Sequence, residues 1–441
     1  MGIAAGSVIA LSFRVLGMLL WGIVGILTAR TLSVDERGVY ATAVVVTTAV
    51  GGISSFAGAT GYFVANRKRD AGEVVGNAMV MAVPFALTVA VAAVLSGPLI
   101  GGELGRIVTV SGLLLFPGII RNTQTGVILA NNQLVRYNVV VNLPVLTGFA
   151  FLATWVWLLD HRTAESALAA WTTAQYVALV PLLWWSPAWL QWLRRHRPSP
   201  ALMRAIVRFT LVTGLGGIVG FLNYRIDLIL VVSLDSREGA GIYSSAIAVA
   251  EALWLFSSAI AMASYARVAR VGRVEAARVT ATAVRHTLLV VVIGGIVTAF
   301  VAPAAVELLF GRNYRDAATP LRILCLGTAM FAPQGLFANY FTNQLGRPVI
   351  QLLLAIFALS TSVIAGVLLI PHYGTAGAAW STTISYALSG ALAVGLFLWM
   401  SEARLSDLWR VRSSDIASYA RLVREIASGR VLVGIRDEGR G

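Results

Sequence analysis

Residues 209–264 read FTLVTGLGGIVGFLNYRIDLILVVSLDSREGAGIYSSAIAVAEALWLFSSAIAMAS. This stretch decides how the rest of the chain is read. Two apolar runs, about 209–233 and 241–264, are joined by the polar turn LDSREGA (234–240). Arg225 and Asp227 lie inside the first run and Glu251 inside the second. A charge at the centre of a membrane span costs about 2.5–3.5 kcal/mol on insertion scales, so such groups usually face a water-filled path or another helix. The stretch also contains GIYSSA (241–246), an echo of GVYATA (38–43). An internal echo at that distance indicates a doubled architecture. Two lobes around a polar cavity are therefore the expectation.

Composition agrees with a membrane protein. The 441 residues are 58% hydrophobic and 12% charged, with a mean hydropathy of +0.79, whereas soluble domains carry about 25% charge. About twelve runs are long enough, at roughly 20 residues each, to cross a bilayer as helices. The connections are short and leave no room for a large soluble domain. The predicted fold is an all-α polytopic membrane protein with about twelve transmembrane helices in two parallel-repeat six-helix lobes around a central cavity. The net charge of +14 sits mostly in loops. It is read as the positive-inside bias, not as a nucleic-acid footprint. One cysteine, Cys325, and four scattered histidines leave no disulfide framework and no metal site. The first run, about 6–29, is too long for a signal-peptide core, lacks a basic start and has no clear cleavage site, so it is read as a retained span.

The predicted spans, in order, are about 6–30, 38–64, 74–100, 107–130, 138–159 and 166–190, then 209–233, 241–264, 287–310, 319–343, 348–370 and 375–400. The domain reading follows: an N-lobe (1–190), a basic interlobe linker (191–208, with Pro198 and Pro200), a C-lobe (209–400) and a charged tail (401–441). Residues 265–286 read as a short basic surface helix. Trp184, Trp185, Trp189 and Trp192 suit an interfacial anchor. In the tail, 415–428 reads as a basic amphipathic helix lying on the inner leaflet. Arginine is concentrated in alternate connections, including Arg67, Arg69, Arg136, Arg194, Arg195, Arg270 and Arg347. That bias predicts both termini in the cytoplasm.

Three echoes support the repeat. LSVDERGVYATAVVV (32–46) pairs with LDSREGAGIYSSAIAVA (234–250), NNQLVR (131–136) with TNQLGR (342–347), and AAWTTAQY (169–176) with AAWSTTISY (378–386). Their order is the same and their offsets nearly so. The offset spans an even number of helices, so the halves share one orientation and form a parallel repeat. Prolines inside spans, such as Pro84, Pro117, Pro144 and Pro303, bend helices, which serves either rocking or packing alone.

The charges inside spans are Arg14, Arg121, Arg225, Asp227 and Glu251; Arg322 lies near a span end, where it can snorkel. Arg14, Arg121 and Arg225 are the candidate substrate-binding residues. Their planar guanidinium groups suit phosphate oxygens, which points to an anionic head group. Asp227 and Glu251 are the candidate ion-coupling residues, for H⁺ or Na⁺. The competing reading is that Arg225, Asp227 and Glu251 pair across helices and only fix packing. Asn223 and Asp227 are four residues apart and share a helix face. The chain's one lysine, Lys68, sits in Arg-Lys-Arg, so there is no Walker A loop and no built-in ATPase. No H-E-x-x-H motif occurs, and the outer loops are too short for a carboxylate-rich catalytic site. A cofactor is not expected, nor is enzymatic activity.

ARTLSVDERGVYATAVVV (29–46) resembles the A-R-x-L-G-x-x-x-x-G-x-Y opening of polysaccharide flippases in the multidrug/oligosaccharidyl-lipid/polysaccharide (MOP) exporter superfamily, with Leu32-Ser33 in place of Leu-Gly. NYRIDLILV (223–231) and GAGIYSSAIAVAEALW (239–254) resemble that family's seventh and eighth helices. The resemblance covers about residues 1–400. It implies alternating access and outward movement of a polyprenyl-diphosphate-linked oligosaccharide across a bacterial plasma membrane. Membrane lipids and the lipid-linked anionic glycan would be the partners, with no nucleic acid. Lipid II is the second choice of substrate, because the arginine-rich signatures of that branch are not seen. A cation or drug exporter of the same fold would want an acidic or aromatic cavity. A membrane glycosyl polymerase would need a large outer loop, and a scaffold would not need the interior charges.

Overall fold

The computed structural model describes residues 3–32, 40, 56–158, 163–185 and 188–410. Among these every regular element is helical. The burial pattern is that of a protein solvated by lipid. Phe300 and Leu308 are 85% and 86% exposed, while Asn77, Thr123, Thr287, Ser381, Ser385 and Ser389 are fully buried. Apolar side chains gain nothing by leaving hydrocarbon, whereas hydroxyls and amides must find partners inside the bundle. Thr60 Oγ1, for example, donates to the Thr123 carbonyl at 2.9 Å. Eight described segments are long and apolar enough to cross a membrane. The chain is an all-α polytopic membrane protein.

The helices are α1 (Ile3–Thr31), α2 (Ala57–Ala65), α3 (Ala71–Ile100), α4 (Gly102–Ala130), α5 (Leu134–Leu152), α6 (Ala164–Val177), α7 (Val180–Trp185), α8 (Ala188–Arg195) and α9 (Pro200–Asn223). There follow α10 (Ile226–Leu234), α11 (Arg237–Ala252), α12 (Trp254–Arg270), α13 (Arg273–Phe310), α14 (Ala318–Phe331), α15 (Gln334–Asn339), α16 (Pro348–Met400) and α17 (Leu405–Trp409). Short π-helical turns, Ala153–Leu158 and Tyr340–Gln344, extend α5 and α15. Helix starts carry the side chains expected of them: Asp70 accepts from the Glu73 amide, Thr163 from Ser166 and Ser236 from Gly239.

Residues 348–400 form one run of 53 residues, about 80 Å at 1.5 Å per residue, against a hydrocarbon thickness of about 30 Å. The run turns at Gly374, where φ is +52° and ψ −130°. Glycine alone reaches that region without strain. The turn falls between the predicted eleventh and twelfth spans. Helix pairs elsewhere approach on small residues. A Cβ at Gly126 of α4 would overlap the Ala57 carbonyl of α2.

The chain divides into two compact units, one of Ser12–Gly214 and the other mainly from Leu215 onward. In the first, Val24, Leu27, Leu114, Val145, Leu168 and Trp171 form a buried cluster. In the second, one cluster is centred on Tyr243, Val291 and Leu321 and another on Phe337, Tyr340 and Phe397.

Several expectations differ locally. The basic stretch 265–286 is not a separate surface helix. It is split between the end of α12 and the start of α13, with a break at Val271–Gly272. The reason is its small and apolar residues: Val268, Ala269, Ala276, Ala277, Ala283 and Val284 are buried between helices. Within 191–208 only 196–199 are non-helical. Pro200 begins α9, a position where a missing N–H costs nothing. The Asn77 amide oxygen accepts the Ser199 backbone N–H at 2.7 Å and holds that turn. Trp192, read as an interfacial anchor, is half-buried against α3. A Cβ at Gly76 would lie 2.7 Å from its ring, and the ring stacks on His196 at 5.2 Å. The turn SVDERG, most of the second span and the amphipathic segment 415–428 lie outside the described residues.

Candidate functional site

The seventh span does not run through as one helix. α9 ends at Asn223 and α10 begins at Ile226. At the junction the bonding tightens: Tyr224 N–H reaches both Gly220 and Phe221 carbonyls at 3.2 Å, and Arg225 N–H reaches Leu222 at 3.0 Å. Such i→i−3 turns inside a helix often mark a functional hinge or a sequence under strain. The break places Arg225 off the helix path. Its Nη1 lies 3.2 Å from Glu251 Oε1. Glu251 occupies the last turn of α11, just before a second tightened turn in which Leu253 N–H bonds the Ala250 carbonyl at 3.2 Å. The two ionisable side chains thus meet beside the junction of α9 and α10, where Arg225 leaves helical geometry (φ −130°, ψ −10°), whereas Leu253 keeps it (φ −64°, ψ −26°). Their side chains stay 46% and 30% exposed.

Asp227 is held differently. It is 4% exposed and its carboxyl collects three donors. Tyr243 O–H of α11 donates to Oδ2 at 2.8 Å, Thr382 Oγ1 of α16 donates to the same oxygen at 3.0 Å, and the Leu228 amide donates to Oδ1 at 2.8 Å. Tyr243 and Thr382 oxygens are also 3.2 Å apart. Donation by several groups is what makes a carboxyl tolerable away from water. Asn223, predicted on the same face, is also buried, and its Oδ1 finds no partner among the described residues. An aromatic group adjoins this junction. Tyr224 and Trp254 lie 5.0 Å apart, Phe331 and Tyr386 stack at 4.3 Å, and Trp254 is 6.0 Å from Tyr386. Trp254 Nε1 is buried and without an acceptor among the described residues.

Arg14 and Arg121 belong to the other compact unit. Arg121, on α4, donates from Nη1 to Gln175 Oε1 of α6 at 2.5 Å. Its Nε is buried without an acceptor among the described residues, and so is Nε of Arg14 on α1. Guanidinium groups carry five donors in a fixed fork, so each retains unused donor capacity inside its helical bundle. Among the described residues, no cluster of three metal-ligating side chains occurs.

The structure therefore joins Arg225 to Glu251 and sets Asp227 apart on two hydroxyls. The residues that the sequence reading missed are Tyr243, Thr382 and Gln175. A signal for them was present. Tyr243 lies in GIYSSA, Thr382 in AAWSTTISY and Gln175 in AAWTTAQY, all members of the repeated motifs. The echoes NNQLVR and TNQLGR each fall at a tight turn between successive long helices. Each turn carries a residue of positive φ, Asn132 (+57°) in one and Gly346 (+66°) in the other.

A family profile described as "Polysaccharide biosynthesis protein" matches residues 27–319. An uncharacterized membrane protein of Methanocaldococcus jannaschii is 32% identical over 101 residues, which is 23% of this chain and 20% of that protein. An outward-facing multidrug resistance MATE family transporter of the MOP superfamily superimposes with a TM-score of 0.71 at 17% identity, covering 90% of this chain and 94% of that one. A MOP superfamily transporter from Pyrococcus furiosus, described as having a binding pocket of reverse polarity that suggests a different function, gives a TM-score of 0.70 at 16% identity, covering 90% and 93%. At these identities the structural likeness establishes the fold.

Proposed function

The chain belongs to the polysaccharide biosynthesis protein family, within the MOP superfamily of transporters, and from that premise we propose that it flips a polyprenyl-diphosphate-linked oligosaccharide across a bacterial plasma membrane by alternating access. Both termini lie in the cytoplasm in this reading, as the arginine bias indicates. Arg14, Arg121 and Arg225 receive the diphosphate. Asp227 and Glu251 bind the coupling ion, H⁺ or Na⁺.

One observation supports this reading above the others. The Arg225 guanidinium stands at a break inside a span and keeps 46% of its side chain exposed even while it touches Glu251. That exposure leaves the other guanidinium donors open to a ligand. An entering diphosphate offers oxygens that compete with Glu251 for the guanidinium, and releasing Glu251 frees it for an ion. Exchange of that kind couples anion and cation occupancy at one break. The Nε atoms of Arg14 and Arg121, without an acceptor among the described residues, supply further donors for phosphate oxygens.

The test is translocation of a fluorescent short-chain polyprenyl-diphosphate oligosaccharide in proteoliposomes. Arg225→Ala is expected to lower the rate about tenfold or more, the value of a lost charge-assisted contact, with Arg225→Lys intermediate. An unchanged rate at equal protein level would remove Arg225 from the site. The second reading, export of a cationic compound within the same superfamily, draws on the aromatic group around Trp254 and Tyr386. Uptake of a cationic dye, with no effect of the oligosaccharide, would favour it.

A further inference from the structure

A cavity of about 270 Å³ lies between the first turns of α13 and the segment that leads into α17. None of its lining residues belongs to the candidate site described above. Three arginines, Arg278, Arg285 and Arg404, line it with Thr282, against two carboxylates, Glu402 and Asp407. The carboxylate of Asp407 is already engaged: its Oδ2 accepts the Arg404 backbone N–H at 3.1 Å at the start of α17. Arg285 is buried and ties the wall together, donating to the Asp407 carbonyl at 2.6 Å and to Thr282 Oγ1 at 3.3 Å. Arg278 and Arg404 are exposed at the rim.

The position of the cavity defines the setting of its ligand. α13 has 38 residues, about 57 Å, which exceeds the hydrocarbon layer by roughly 27 Å. The apolar part of α13 is its C-terminal portion, so the excess lies at the arginine-bearing start. α17 begins five residues after α16 ends at Met400. Trp399, Leu405 and Trp409, within three residues in sequence of the cavity's lining, are 80%, 56% and 66% exposed. Exposed tryptophan and leucine next to arginine are the composition of a membrane interface. We propose that this cavity binds a phosphate group at headgroup depth, carried by an anionic membrane lipid or by a soluble phosphate ester. Arg278 and Arg404 provide the capturing forks, and Arg285 a fixed positive wall. Arginine favours phosphate here because its planar donors match two oxygens at once.

The experiment uses the full-length protein in detergent, with two arms. Phosphatidylglycerol binding is followed by native mass spectrometry, and inorganic phosphate by the shift in melting temperature. Arg278→Ala and Arg404→Ala are each expected to weaken binding about fivefold, in whichever arm binds. Arg312→Ala, at the opposite end of α13, serves as the control and should leave it unchanged. Both rim arginines are exposed, so the variants should melt like the parent; Arg278→Gln repeats the test with a longer side chain. Loss in the lipid arm alone identifies a membrane lipid, and loss in the phosphate arm identifies a soluble ester. Equal binding by parent and variants in both arms, or no binding in either, overturns the proposal. The outcome is independent of whether the oligosaccharide is transported.

Discussion

Tyr243 on α11 donates its hydroxyl to Asp227 on α10 at 2.8 Å, and both side chains are closed off from the surface. Thr382 of α16 adds a second hydroxyl to the same oxygen. One carboxyl thereby ties three helices. In lipid, where helices gain little from apolar contact with one another, such a junction specifies which faces meet.

Removing the tyrosine hydroxyl should be costly, because the carboxyl would stay buried with one donor fewer. Tyr243→Phe is expected to destabilise the protein by about 1–3 kcal/mol, and Thr382→Val by less, since the Thr382 bond is the longer, 3.0 against 2.8 Å. Thermal unfolding in detergent measures both. A Tyr243→Phe midpoint equal to that of the parent would show that the bond contributes nothing.

Asp227→Asn keeps the shape and one acceptor oxygen while removing the negative charge. The variant should fold, and in our reading it should lose the dependence of transport on the driving ion. Transport with the parent's pH and Na⁺ dependence would leave Asp227 as a structural junction only.

The Arg225–Glu251 pair is partly exposed, and exposed pairs are worth about 0.2–1 kcal/mol. A double-mutant cycle with Arg225→Ala and Glu251→Ala should therefore give a coupling energy in that range for stability. For transport the effects should be far larger, and Glu251→Gln should weaken ion coupling. Large coupling in stability with none in transport would mark the pair as structural.

Gly374 turns the 53-residue helical run at a backbone conformation closed to side-chain-bearing residues. A Cβ there would also lie 3.5 Å from Asp235 Oδ1, an ordinary contact, so the cost is conformational, not steric. Gly374→Ala should destabilise by about 1–3 kcal/mol. Gly126→Ala should be destabilising for the opposite reason. Its helix geometry is ordinary, but the new methyl meets the Ala57 carbonyl, and overpacking of this kind costs about 1–3 kcal/mol. Melting curves of the two variants compare them directly.

Much of the architecture was legible in the residues. Runs of apolar side chains near 20 residues long, parted by polar turns, locate most crossings because unpaired backbone groups cannot lie in hydrocarbon. The ionisable residues within those runs stood out for the same reason. The break at Arg225 was not legible: it contains no proline and lies in a hydropathic stretch that reads as continuous. The end of α12 and the start of α13 read as a surface helix because their arginines mask the alanines and valines that the fold buries.

The amino-acid sequence by itself determined that this chain crosses a membrane many times and carries five charges within those crossings, because transfer into hydrocarbon is a sum over residues and needs no knowledge of neighbours. Only the tertiary structure decided which charge meets which partner: Arg225 meets Glu251, Asp227 meets Tyr243 and Thr382, and Arg121 meets Gln175. Those pairings join residues from 16 to 155 positions apart. They depend on how helices break and rotate about their axes, which side-chain hydropathy does not encode.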